Sequence, residues 1–259
     1  LVKKKGFKSV YFDDDTFNIG KKRMLEFAKE LKLRKWNTPW AFMGRADLSD
    51  RETLEELRST GLHAVKYGME SGVQELVDHA NKKLDIKTAI ENIIATKELG
   101  IKVHLTFTFG LPGETKETLM KTINLVLELD PDSVQFSITT PFPGTKLYTE
   151  MKNENKIVSF DWSEYDGNTR SVIKTNNLSP EDLKKAQEYA YTKWHEHKFL
   201  KQRYIHLSPL KLFRMCFKQH GLSYTLRKTV NYVGNGNIIH YIKNPKKTKI
   251  LIQNRKGHK

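Results

Sequence analysis

The sequence predicts an α/β fold of parallel strands with a helical appendage at its carboxyl end. Three observations support this prediction. Strand-like and helix-like segments alternate through the first 150 residues, glycines or polar clusters follow the strand candidates, and the pattern changes after residue 143 to polar loops and long helices. Such alternation favours parallel pairing through right-handed crossovers.

Five strand candidates and five intervening helices follow in order. Short apolar or β-branched runs mark the strands, and apolar residues at helical spacing mark the helices. The strands are expected at residues 9–12, 41–43, 64–67, 103–109 and 133–138, and the helices at 21–33, 50–59, 73–80, 86–99 and 116–129. Five strands are too few for a closed eight-stranded barrel, so either an open doubly wound sheet or a barrel lacking strands fits.

Capping signals mark two helix starts. Ser49 followed by Glu52 predicts a capping box. Ser179 and Pro180 open a long helix that we expect to reach about residue 204, because Ser is a good N-cap and Pro a good first helical residue. We predict a barrel domain over 1–150, an extension ending in this helix over 151–205, and a helical then basic tail over 206–259.

Composition narrows the class of protein. The 259 residues carry a formal charge of +15, and seven Lys or Arg lie in residues 243–259. No apolar run is long enough for a membrane span, and no signal peptide precedes the first strand. The single cysteine, Cys216, excludes an internal disulfide and fits a reduced, cytoplasmic setting. Since the mixed charges elsewhere resemble a solvated surface, we expect no nucleic-acid partner.

Polar or glycine-rich segments follow all five strand candidates. They are Asp-Asp-Asp-Thr-Phe at 13–17, Gly-Arg at 44–45, Gly-Met-Glu-Ser-Gly at 68–72, Gly-Leu-Pro-Gly-Glu-Thr at 110–115 and Thr-Pro-Phe-Pro-Gly-Thr at 140–145. The carboxyl ends of parallel strands are where α/β proteins place their sites. Each segment alone also fits a turn, a capping aspartate or a surface ion pair.

Taken together and in this order, the five segments resemble the radical S-adenosylmethionine (SAM) superfamily. They are most similar to the branch that often carries an N-terminal cobalamin-binding domain and includes the anaerobic magnesium-protoporphyrin monomethyl ester cyclases. The resemblance covers residues 7–150 and extends weakly to about 205. It implies a partial (β/α) TIM-type barrel in which a 4Fe-4S cluster, reduced by an external electron donor, cleaves SAM to start radical chemistry on a small organic substrate.

The resemblance also implies SAM-binding roles at the strand ends. Carboxylates are expected near the SAM amine and ribose, cations near its carboxylate, and glycine or apolar residues near its ribose and adenine. The implied residues are Asp14, Asp15, Arg45, Glu70, Ser71, Lys82, Gly110, Leu111 and Pro141.

One family feature is missing from the 259 residues, the Cys-x3-Cys-x2-Cys motif that holds the cluster. Cys216 lies in an apolar stretch and is expected to be buried and inert. We therefore expect the cluster ligands, the first family strand and any cobalamin domain to lie upstream of Leu1, and this chain alone to be inactive. His195 and His197 are two residues apart on a predicted helix, so they face differently and do not predict a metal site.

Two other functions stay open. The basic tail fits an RNA-modifying radical SAM enzyme, although residues 231–259 do not predict a compact RNA-binding module. A non-catalytic α/β binding protein would use the strand-end segments only as turns.

Overall fold

The computed structural model describes residues 1–201, with side chains up to residue 199. Residues 1–198 form one compact unit. The helical then basic tail predicted over 206–259, which includes Cys216, lies outside the described residues. None of the described helices combines the length and apolarity needed to span a bilayer.

A five-stranded sheet forms the centre of this unit. Its strands are β1 (Val10–Phe12), β2 (Trp40–Gly44), β3 (Leu62–Glu70), β4 (Lys102–Phe109) and β5 (Ser133–Ile138). They lie in the order β1-β2-β3-β4-β5, and every neighbouring pair is parallel. The predicted parallel α/β fold is confirmed, and the sheet is not closed into a barrel.

Eight α-helices connect or flank the strands in the described part of the chain. They are α1 (Val2–Lys5), α2 (Lys21–Leu33), α3 (Arg51–Arg58), α4 (Gln74–His79), α5 (Ile86–Glu98), α6 (Lys116–Leu129), α7 (Lys146–Asn153) and α8 (Pro180–Lys201). Short 3-10 turns lie at Ala46–Leu48 and Trp162–Glu164. The bounds of α2, α6 and β5 agree with the predicted ones, and α8 is the predicted helical appendage.

The two faces of the sheet differ in their packing. Alternate strand residues such as Phe42, Val65 and Phe107 are buried in one core that includes α2, α3, α5 and α6. The residues between them are only half-buried. We call this second side the open face; it comprises Ala41, Met43, Ala64, Lys66, Gly68, Glu70, His104, Thr106, Thr108, Gln135 and Ser137.

Helices on a single face distinguish a barrel arc from a doubly wound sheet, whose helices cover both faces. The choice that composition left open is therefore settled in favour of a partial barrel.

The start of α3 corrects one prediction. Asp50, not Ser49, is the N-cap, and its carboxylate accepts a hydrogen bond from the Thr53 amide at 3.1 Å. Ser49 is buried and instead accepts a hydrogen bond from the Asn18 side chain at 2.7 Å. The predicted capping box with Glu52 is wrong because this distant partner holds the Ser49 hydroxyl.

The outer edge of β5 is sealed by side chains and a loop. The Phe136 amide donates to the Tyr191 hydroxyl at 3.0 Å, and the Gln187 side-chain amide donates to the Phe136 carbonyl at 2.7 Å. The Ile138 amide donates to the Gly167 carbonyl at 2.7 Å. These contacts satisfy backbone groups that an edge strand otherwise leaves unpaired.

Candidate functional site

The predicted rim residues follow the carboxyl ends of the five strands. Arg45 and Gly110 come directly after β2 and β4, and Glu70 is the last residue of β3. Asp14 follows β1 by two residues, and Pro141 follows β5 by three. Because all five strands are parallel, these segments share one edge of the sheet, as predicted.

Glu70 is the most constrained residue at this edge. Its φ of 63° lies in the left-handed region, which non-glycine residues seldom adopt without support from their surroundings. The Lys82 Nζ lies 2.9 Å from Oε1, and the Thr108 hydroxyl donates to Oε2 at 2.8 Å. The Glu70 side chain is 17% exposed, so its carboxylate is held firmly and still meets solvent.

Gly68 makes room for this carboxylate. A Cβ atom at position 68 would lie 2.9 Å from the Glu70 Oε1, closer than real Cβ contacts come. The Gly-x-Glu spacing therefore has a steric reason, since the glutamate folds back over the glycine on the open face.

Arg45 is occupied by protein contacts. Its guanidinium forms a bidentate pair with Asp47 at 3.0 and 2.7 Å. It also donates to the Lys82 carbonyl at 2.6 Å and to the Lys83 carbonyl. Arg45 thus fixes the backbone that carries Lys82, so its contribution to the rim is to place that lysine beside Glu70.

Asn18 secures Arg45 in turn, and the sequence prediction missed it. Its Oδ1 accepts from the Arg45 amide at 2.9 Å, and its Nδ2 donates to the Arg45 carbonyl at 2.7 Å. A Cβ atom at Gly44 would lie 2.3 Å from the Asn18 Oδ1. The signal for this contact was the glycine at the end of β2, which the sequence shows without showing its partner.

The other predicted residues differ in their exposure to solvent and in their partners. Asp14 and Asp15 are exposed, whereas Gly110, Leu111 and Pro141 are buried. Ser71 is fully buried, and its hydroxyl lies 3.2 Å from the Thr122 hydroxyl on α6. The structure therefore brings Glu70, Lys82 and the Arg45 segment together and turns the Ser71 side chain towards the helices.

Glu114 lies beneath the turn that follows β4 and is fully buried. Its Oε2 accepts a hydrogen bond from the Gly110 amide at 2.5 Å, and its Oε1 has no hydrogen-bond partner among the described residues. Burial raises the pKa of this carboxyl to about 7, although hydrogen bonds from the Gly110 and Leu111 amides lower it in part. The sequence prediction assigned Glu114 only to a turn.

The open face carries a second titratable group below the rim. The His104 Nδ1 lies 2.7 Å from the Ser133 hydroxyl of the neighbouring strand. Burial lowers the pKa of His104 first, and the nearby Lys66 charge lowers it further. Lys66 lies directly across from His104 in the β3–β4 register.

The donor set at the rim suits an amino-acid-like ligand such as SAM. Glu70 and the exposed aspartates can accept from an amine or hydroxyls, and Lys82 can bind a carboxylate. Within residues 1–201 no group of three His, Cys, Asp or Glu side chains is placed to hold a metal ion. The described residues therefore fit SAM and do not provide the ligands of a 4Fe-4S cluster.

A barrel arc with a polar carboxyl edge and an open inner face is the arrangement in which α/β barrel proteins build their sites. Residues 1–126 match the family model described as the Radical SAM superfamily. The chain belongs to this superfamily, whose general reaction is the reductive cleavage of SAM.

Curated relatives include methyltransferases and cyclases. An uncharacterized methyltransferase of Pyrococcus horikoshii is 27% identical over 216 residues, which cover 83% of this chain and 44% of the relative. The anaerobic magnesium-protoporphyrin IX monomethyl ester cyclase of Cereibacter sphaeroides is 30% identical over 191 residues, which cover 71% of this chain and 30% of the relative. The chain thus spans less than half the length of these proteins.

Solved structures agree on the fold. The coproporphyrinogen III oxidase of Escherichia coli, a radical SAM enzyme, superposes with a TM-score of 0.54 at 17% identity and covers 73% of this chain and 40% of its own. A radical SAM methyltransferase from Kitasatospora setae with cobalamin and a [4Fe-4S] cluster bound gives a TM-score of 0.53 at 20% identity, covering 59% and 32%.

Proposed function

We propose that this chain supplies the SAM-binding rim and the substrate-facing inner surface of a radical SAM enzyme of the methyltransferase or cyclase type. Its substrate is a small organic molecule that lies against the open face. The names of the curated relatives support the reaction type, and the polar, half-buried open face supports the place of the substrate.

The observation that carries the proposal is the Glu70 carboxylate, held by Lys82 and Thr108 at the open end of β3. Each carboxylate oxygen has a second lone pair, so Glu70 can accept a ligand hydrogen bond while it keeps both protein partners. Lys82 is about half exposed, and its ammonium can move to a ligand carboxylate without being drawn out of a buried pocket.

Each rim residue then has a separate task. Glu70 orients the ligand amine or ribose, Lys82 neutralises its carboxylate, and Arg45 keeps Lys82 in reach. When bound, SAM supplies the radical chemistry, and the protein supplies orientation and electrostatics. An external electron donor completes the proposal. Cobalamin use stays a prediction, since the described residues assign no site to it.

The test is SAM binding by Glu70→Ala and Glu70→Gln in the cluster-loaded holoenzyme. Losing a hydrogen bond to a charged group costs about 1.5–3 kcal/mol, so we expect SAM affinity to fall about tenfold to a hundredfold for Glu70→Ala. Isothermal titration calorimetry measures the affinity. The SAM affinity of Glu70→Gln should lie between those of the wild type and Glu70→Ala, because the glutamine side chain keeps one acceptor oxygen but has lost the negative charge.

Glu128→Gln is the matched control, as Glu128 is exposed on α6 away from the rim. It should bind SAM as the wild type does. Circular dichroism checks that each variant folds. If folded Glu70→Ala bound SAM with wild-type affinity, Glu70 would be a structural turn residue and the proposed site would be wrong.

A further inference from the structure

Lys66 is a cation in the middle of the open face. It lies on β3 between Met43 of β2 and His104 of β4, which are its register partners on either side. It precedes Glu70 by four positions along β3, which places it about 13 Å below the rim at the usual rise of a strand. That distance is comparable to the length of a small organic molecule.

No carboxylate of the described residues forms an ion pair with Lys66, whereas the other charged side chain of the open face, Glu70, is paired with Lys82. A half-buried ammonium without a counter-charge is costly, because burial removes part of its hydration. The pKa of His104 is lowered mainly by burial and further by the Lys66 charge, as expected for two such groups side by side.

The remaining part of the chain has no acidic side chain to offer. All 30 Asp and Glu among the 259 residues lie at or before position 196, within the described residues. No Asp or Glu after residue 201 therefore exists to neutralise Lys66. An anionic group bound to the open face would supply the counter-charge that the described residues do not place at Lys66.

The open face next to His104 and on β5 carries uncharged hydrogen-bonding groups. Thr106 pairs in register with Gln135, and the Gln135 side-chain amide donates to the Ser137 hydroxyl at 3.0 Å. Together with His104, these side chains place hydrogen-bonding groups on the same face as the cation, an arrangement that suits a molecule with several acceptor oxygens.

We propose that Lys66, flanked by His104 and Thr106, binds a carboxylate or phosphate group of the substrate on the open face. This inference rests on the proposed function and names the class of substrate, an organic anion. The charged end of that molecule lies at Lys66 and its reacting end points to the rim.

The test uses inorganic phosphate and acetate as probes in the holoenzyme. Titration is followed through the His104 ring signals by NMR, assigned with His104→Gln. We expect saturable shifts, with affinity at least tenfold weaker in Lys66→Met and retained in Lys66→Arg. Lys29→Met, an exposed lysine of α2, should match the wild type. The probe that saturates at the lower concentration identifies the anion as phosphate or carboxylate.

Two results would overturn the proposal: equal anion affinity in Lys66→Met and wild type, or no saturable response in the wild type. SAM binding keeps the two proposals apart. Lys66→Met should bind SAM normally, while Glu70→Ala loses SAM and keeps the anion response. A loss of SAM affinity in Lys66→Met equal to that of Glu70→Ala would also refute the assignment, since the lysine would then serve the rim.

Discussion

Replacing Glu114 by glutamine should remove a pH dependence of stability that the wild-type protein carries. The Glu114 carboxyl is fully buried under the Gly110 turn, and its pKa is raised from 4.5 to about 7, mainly by burial. Glutamine has the same shape and can accept from the same amides, but it does not ionise. The substitution therefore isolates the cost of ionising this buried group.

The magnitude follows from linkage. The folded protein holds this proton more tightly than the unfolded chain does, so the associated stability is complete below pH 4.5 and is lost as the pH rises to about 7. At about 1.4 kcal/mol for each pH unit between the two pKa values, the loss is about 3 kcal/mol. Relative to the wild type, Glu114→Gln should gain about this much stability between pH 4 and pH 8.

Urea unfolding at several pH values, followed by circular dichroism, measures this difference. Equal slopes for both proteins would show that the same surface is exposed on unfolding. Glu128→Gln serves again as an exposed control and should follow the wild type throughout. A wild-type-minus-Glu114→Gln difference that does not change with pH would show that Glu114 is not ionised at a buried site, and the reasoning would fail.

Two further substitutions test the turn after β4 and the edge of β5. Gly110→Ala should lower the free energy of unfolding by about 2–4 kcal/mol, because the new Cβ lies 3.3 Å from a neighbouring side chain and the φ of 87° is strained for alanine. Gly100→Ala has open space around it and should lose only the part that comes from backbone strain. Equal urea midpoints for the two variants would refute the packing argument. Tyr191→Phe should cost about 1–3 kcal/mol and speed hydrogen exchange at the Phe136 amide, which loses its acceptor. An unchanged exchange rate at the Phe136 amide in Tyr191→Phe would contradict the role of the Tyr191 hydroxyl. The same loss of stability in Tyr189→Phe, at an exposed tyrosine of the same helix, would also contradict it.

Local patterns predicted most of the sheet and its helices. The bounds of α2, α6 and β5 follow from apolar periodicity and from clear breakers at their ends. Helix α7 was missed, because Pro143 and Gly144 read as a turn and the following residues are polar. Its start is nevertheless capped by Thr145, which accepts from the Tyr148 amide at 3.1 Å.

The sequence predicted where the candidate site lies better than it predicted the contacts within the site. The strand ends could be placed from sequence, because glycines and polar residues follow apolar runs. The hydrogen bonds between the Asn18 side chain and the Arg45 backbone join residues 27 positions apart, and no local sequence pattern predicts them. Lys66 and His104 were not singled out either, since which face of a strand stays open depends on where all the helices pack.

The covered edge of β5 limits the side on which the sheet can be extended. Tyr191, Gln187 and Gly167 take the places that a neighbouring strand would occupy, so backbone pairing stops there. At the opposite margin, β2 is the only neighbour of β1 among the described strands. Any strand that continues the curvature around the open face has to join beside β1. The wall that would shield a substrate from water is therefore extended from the Asp14 side of the sheet.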